Sequence, residues 1–249
     1  MFRFVERFVL AVFALASLLA PLPVCSQTVS VTGVVDVTSL HPREKKPNSS
    51  GVVVWLTPVA EPGSEEIPPR PAPGRRRVIL TQENKTFEPH MLVIPVGAQV
   101  EFPNKDPFFH NVFSLYEGKR FDLGLYESGS TRLLSFDRPG ISYLFCNIHP
   151  EMSAVIITLD TPYYSTSDRA GQVTIPDVRP GRYVLHVWRE GSTPSTLKSL
   201  ARSLVVSGEA ASFGKVTVPD NGALPLTHKN LYGKDYEEPT PPGGIYRPH

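Results

Sequence analysis

Apolar and polar positions alternate along this chain in short runs of period two, and Gly or Pro turns interrupt each run before it reaches helical length. Thr28–Val37 alternates in this way, and Gly51–Ala60 (GVVVWLTPVA) is a β-rich run that includes Trp55. From Val78 to Asp160 the pattern tightens. Strands are predicted at Val78–Thr81, Met91–Val96, Ala98–Phe102, Asn111–Leu115, Thr131–Phe136, Ile141–Cys146 and Ala154–Leu159. Turn signals separate them at Gly97, Pro103–Asp106, Glu117-Gly118 and Asp137–Gly140. Short strands at this spacing predict an antiparallel Greek-key sandwich. Tyr116–Ser130 alternates less and reads as a loop lying over one face. A last β-rich block predicts strands at Gln172–Ile175, Arg182–Trp188, Leu204–Val206 and Lys215–Val218, with turns at Ser167–Gly171 and Pro180-Gly181.

Two strands at 27–60 cannot stand alone, and the strands of 161–220 make only a thin sandwich; joined, they form a second small β-sandwich. The expected organisation is therefore all-β, with a signal peptide at 1–26, the first strands of an outer sandwich at 27–60 and a Pro-rich linker at 61–77. A middle sandwich at 78–160, the remainder of the outer sandwich at 161–220 and a Pro-rich, partly ordered tail at 221–249 complete it. Insertion of the middle unit into a split outer unit is one arrangement; two units in tandem is the other.

Composition sharpens this picture. Pro is the outlier at 26 of 249 residues, about twice the usual 5%, which opposes a helical bundle. Lys and Arg number 25 against 24 Asp and Glu, so no nucleic-acid partner is expected. At the N-terminus, Arg3 and Arg7 precede an apolar stretch, Phe8–Ala20, that is too short to span a bilayer. Pro21-Leu22-Pro23 follows, and Val24-Cys25-Ser26 offers small residues for cleavage before Gln27. A periplasmic or secreted protein with no transmembrane segment is expected. Lipid anchoring at Cys25 is the alternative address, disfavoured by Val24 where Gly or Ala usually precedes the acylated Cys. Cleavage leaves Cys146 alone, so no disulfide scaffold holds the fold.

Four residues carry the chemistry. Cys146, His149 and Met152 share one short loop, C-N-I-H-P-E-M, directly after a predicted strand, and His110 opens another in D-P-F-F-H-N-V-F. One thiolate, two imidazoles and one thioether form the donor set of a blue copper centre. Soft sulfur suits Cu(I), imidazole accepts both oxidation states, and a weak axial Met does not enforce square-planar geometry. A lone Cys or Met is ordinarily core, and a lone His ordinarily sits at the surface or in a cap; the four together, in this order, favour one copper ion. Arg75–Arg77 reads as a solvated face. His90, in Pro89-His90-Met91, reads as a solvent-facing edge residue, with tuning of the metal loop as its alternative. His186 alternates with Val184 and Trp188, which reads as packing, and His41, His228 and His249 fall in polar loops or tails. No second His cluster, nucleophile elbow, HExxH or phosphate-cradling loop is present in the sequence, so no enzyme is expected.

Residues 78–160 resemble a cupredoxin of the plastocyanin and amicyanin kind. The matching features are Phe87-Glu88-Pro89, the V-G-x-x-V-x-F-x-N run from Val96 to Asn104, His110-Asn111-Val112 and the C-x-x-H-P-x-M loop, whose short His-to-Met gap is closest to amicyanin. The resemblance implies a single type 1 copper held by His110, Cys146, His149 and Met152, with Asn111 bracing the Cys loop. It also implies electron exchange through the edge of His149, and an apolar docking patch at Phe108, Phe109 and Pro150 for redox protein partners. With H-N-V-F-S-L and F-D-L-G-L-Y, the whole chain is also similar to bacterial periplasmic proteins named for methylamine utilisation. Asp168–Val173 and Val178–Tyr183 resemble the regulatory, transthyretin-like domain of carboxypeptidases, a module similar to carbohydrate-binding sandwiches. The leading expectation is a periplasmic electron carrier. Copper delivery is one alternative, and a surface- or carbohydrate-binding module working through the outer sandwich is another.

Overall fold

The structure, a computed structural model, describes residues 28–39, 48–60, 78–115, 118–208, 210–222 and 229–236. The expected signal peptide with Cys25, the linker at 61–77, and His41, His228 and His249 lie outside the described residues. Within them the chain is almost entirely β. The strands are β1 (Val29–Ser39), β2 (Val53–Pro58), β3 (Val78–Ile79), β4 (Thr81–Glu83), β5 (Thr86–Glu88), β6 (Met91–Pro95), β7 (Ala98–Pro103), β8 (His110–Ser114) and β9 (Phe121–Tyr126). They continue as β10 (Thr131–Phe136), β11 (Gly140–Phe145), β12 (Ser153–Leu159), β13 (Tyr164–Thr166), β14 (Gln172–Val178) and β15 (Gly181–Trp188). A short helix, α1 (Pro194–Ser199), precedes β16 (Arg202–Val206) and β17 (Ala211–Asp220).

Two pairs of sheets form two packed cores. A five-stranded sheet, β6-β12-β11-β8-β9, faces a three-stranded sheet, β10-β7-β3, with the β4-β5 hairpin beside them. Between these sheets lie Leu80, Phe87, Phe102, Val112, Phe136, Leu144, Cys146, Met152 and Ile156, all buried. The other pair is β14-β1-β17 and β13-β2-β15-β16, enclosing Val31, Val35, Leu56, Ile175, Leu185 and Val218. β1 and β2 therefore pair with strands that follow β12, and the whole of 78–159 intervenes in sequence.

β12 explains how the two units meet. Its sequence SAVIITL is apolar on both faces and buried throughout except at Ser153. Ala154 and Ile156 point into the core that holds Cys146. Val155, Ile157 and Leu159 point the other way, onto Val53 and Trp188 of the outer sandwich. A strand covered on both faces loses the polar half of its alternation.

One expectation is corrected. The loop predicted across Tyr116–Ser130 contains β9, which pairs antiparallel with β8 from Ser114↔Phe121 to His110↔Tyr126. The register shifts between Asn111 and Phe113, and Gly124 has φ 69, so the run F-D-L-G-L-Y changes face part-way and leaves Leu125 56% exposed. The bulge disguises the alternation. Also missed were the β4-β5 hairpin, β13 and α1, each three to six residues long.

Candidate metal centre

β8 and β11 are antiparallel neighbours with Phe113 opposite Phe145. Continued past Phe145, that register brings the Cys146–His149 loop alongside the first residues of β8. His110 and Cys146 are both fully buried, whereas His149 is half-buried at the loop's outer side. The loop turns back on itself through the Met152 N–H, which donates to the His149 carbonyl at 3.1 Å. Met152 is fully buried and packs in the same core as Cys146.

The three strongest donors converge. His110 Nδ1 lies 3.1 Å from His149 Nδ1; Cys146 Sγ lies 3.9 Å from the first and 3.6 Å from the second. Donors held about 2.0–2.3 Å from one ion in tetrahedral or trigonal geometry sit about 3.3–3.8 Å apart. The 3.6 Å separation falls in that range, and 3.1 and 3.9 Å lie within about 0.2 Å of its ends, so small shifts bring the three donors onto a shared metal. The thiolate–imidazole chemistry of the set fits copper. Among the described residues, these three form the group of His, Cys, Asp and Glu donors close enough together to hold an ion.

Supporting bonds aim the donors. His110 Nε2–H donates to Asp106 Oδ2 at 2.7 Å, which leaves Nδ1 as the lone-pair nitrogen facing the cluster. Asp106 also accepts from the Asn84 N–H at 2.7 Å and the Lys85 N–H at 2.9 Å. Burial pushes its carboxyl up, but the bonds from Lys85, His110 and Asn84 outweigh that and hold it below the ordinary carboxylate range. Burial pushes the Cys146 thiol up, against the backbone N–H groups of Ile148, Asn111 and His149. Burial and the adjacent His110 push His149 down, toward the neutral, ligating form. Asn111 spans two elements: its Oδ1 accepts from the Asn147 N–H at 3.3 Å, and its Nδ2 donates to Asp122 Oδ1 at 2.7 Å.

Comparison with solved structures finds matches of low overall likeness. It is similar to a Cu-containing nitrite reductase from Thermus scotoductus SA-01, at 27% identity and TM-score 0.32, over 41% of this chain and 25% of that one. It is similar to a purple cupredoxin from Nitrosopumilus maritimus, at 22% identity and TM-score 0.30, over 33% of this chain and 99% of that one. It is also similar to a reduced amicyanin variant, at 18% identity and TM-score 0.31, over 33% of this chain and 82% of that one. The alignment thus spans a quarter of the nitrite reductase's own length. Residues 153–211 match the family described as Polysaccharide lyase family 4, domain II, in a stretch where a carboxypeptidase regulatory module was expected. No curated protein matches the chain.

Around the cluster, Phe109 is 54% exposed and Ile148 43% exposed, and Pro150 is exposed. Phe108 packs edge-on to His110, with ring centroids 5.2 Å apart, and also approaches His149 at 5.5 Å. His90 is exposed just before β6, as expected of a solvent-facing edge residue, and it is held there: its Nε2 meets Glu190 Oε2 at 2.7 Å and its Nδ1 meets the Ser153 carbonyl at 3.0 Å. The Glu190 bond raises its pKa despite burial. His186 stacks on Trp55 at 5.1 Å. A cleft of about 430 Å³ runs along the seam between the sandwiches, lined by His90, Trp188, Arg189, Glu190 and Asp220 among others; none of the three clustered donors reaches it. Asp106 escaped the sequence reading. The only signal for it was an acid four positions before a candidate ligand His, inside a stretch that reads as a turn.

Proposed function

We propose that this protein is a single-copper electron carrier of the exported compartment, with His110, Cys146 and His149 as the strong ligands and Met152 as the weak axial one. The observation that supports it most is the convergence of two Nδ1 atoms and one Sγ within 4.8 Å of one another, on sheet ends. Copper held by such a set supplies one-electron exchange between Cu(I) and Cu(II). The chain's part is to hold the donors still and dry. His110 and Cys146 are clamped in the buried sheet, Asp106 fixes one tautomer, and Asn111 pins the loop. A site prepared in this way rearranges little when the charge changes. His149, half-buried, is the proposed exit for the electron, and Phe109, Ile148 and Pro150 form the proposed apolar rim for a protein redox partner. The outer sandwich serves as a scaffold that covers the far face of β12, and no bond-making chemistry is assigned to the chain.

Copper delivery is the second reading, favoured by the position of His149 at the surface. The two readings part on metal retention. Cyclic voltammetry of the protein loaded with one equivalent of copper is expected to give a reversible one-electron wave, with copper kept in both states against a competing chelator. Loss of Cu(I) to the chelator on the timescale of mixing contradicts the carrier and supports delivery.

A further inference from the structure

Residues 229–236 lie nowhere near the metal loop in sequence, yet they touch it twice. The Leu231 N–H donates to Asn147 Oδ1 at 2.8 Å, and the Tyr236 hydroxyl donates to the Cys146 carbonyl at 2.8 Å. The segment is shaped for this by its own bonds. Asn230 Oδ1 accepts from the Tyr232 and Lys234 N–H groups, each at 3.0 Å. The Asn230 N–H donates to the Lys234 carbonyl at 2.8 Å, and the Gly233 N–H to the Asn230 carbonyl at 2.9 Å. Gly233 sits at φ 73, a left-handed conformation that glycine adopts without strain, and Lys229 pairs with Asp235 across the turn at 3.4 Å. A closed turn of this kind presents one N–H and one hydroxyl at fixed spacing.

We infer that residues 229–236 are a latch on the ligand loop and that Tyr236 is a positioning residue for Cys146. The Cys146–Asn147 peptide carries the thiolate on one side and leads to His149 on the other. From within the sheet, Asn111 Oδ1 holds the Asn147 N–H. From outside, the latch holds the Cys146 carbonyl and the Asn147 side chain. Clamped on both sides, the loop keeps Cys146 Sγ and His149 Nδ1 at ligating distance, so less order has to be gained on binding metal and less is released on losing it. The metal half of this inference rests on the copper reading; the clamp does not.

Two measurements on the full chain separate them. Amide hydrogen exchange at Asn147 in metal-free protein is expected to speed up about fivefold in Tyr236→Phe, the Boltzmann equivalent of one hydrogen bond worth about 1 kcal/mol. In copper-loaded protein the same variant is expected to keep the thiolate-to-copper absorption band while passing copper to a chelator about fivefold faster, again one hydrogen bond's worth. A chain ending at Gly222 is expected to move both readouts in the same direction. Wild-type exchange at Asn147 in both Tyr236→Phe and the shortened chain overturns the latch. Faster exchange in a protein that never develops the copper band overturns the copper reading and upholds the latch.

Discussion

Asp106 does two things with one carboxylate. It closes the turn between β4 and β5, where Asn84 and Lys85 both have positive φ, by accepting their N–H groups, and it fixes the imidazole of His110. At 5% exposed it has little solvent to fall back on. Asp106→Ala is expected to weaken Cu(II) binding by about 10- to 100-fold, the usual effect of removing a partner that orients a metal-bound His. Competition titration against a chelator of known affinity measures it; unchanged affinity would show that Phe108 and the sheet alone orient His110. That His110, Cys146 and His149 come together was legible in the sequence because metal chemistry needs particular donor types at particular spacings, while Met152, expected beside them, is seen as a buried core neighbour of Cys146. The donors' supporting residues were not legible. Asp106 sits beside Pro107 and reads as part of a turn, and Tyr236 acts across 90 residues of chain. Donor identity is local information, whereas orientation by hydrogen bonds depends on the completed fold.

At the scale of elements, the long strands were legible wherever one face is buried and the other is wet. β1 shows this, with Val31, Val35 and Val37 buried in alternation. Legibility failed at β9, where a bulge switches faces, and at elements too short to show a period. A different constraint lies on β1 itself. Gly33 pairs with Gly214 of β17, and a methyl group on Gly33 would overlap the buried Phe213 ring. Gly33→Ala is therefore expected to destabilise the protein by about 1–3 kcal/mol, the usual cost of overpacking a close-packed core. Denaturant unfolding checks this, and an unchanged midpoint would mean that the ring swings aside at no cost. Copper binding should survive, since Gly33 lies on β1 and Phe213 in the core of the other sandwich.

Across the whole molecule, the two cores are joined by a third apolar cluster in which Val155, Ile157 and Leu159 meet Val53 and Trp188. Arg189 ties the same region to Asp220 at 3.0 Å and to the Ser50 carbonyl at 3.2 Å, and His90 pairs with Glu190 beside it. The seam covers the face of the five-stranded sheet opposite the core that holds Cys146 and Met152, while the Cys146–Met152 loop keeps Ile148 and Pro150 exposed. Among the described residues no helix is long and apolar enough to cross a membrane. Such a layout gives one part of the chain to holding a fold and another to presenting the clustered donors His110, Cys146 and His149. The central claim is that His110, Cys146 and His149 assemble one copper–thiolate site. Titration of the purified protein with Cu(II), followed by visible absorption, tests it most directly. An intense thiolate-to-copper band that saturates at one equivalent and is lost in Cys146→Ser is the predicted result; a colourless protein, or a band that persists in Cys146→Ser, would contradict it.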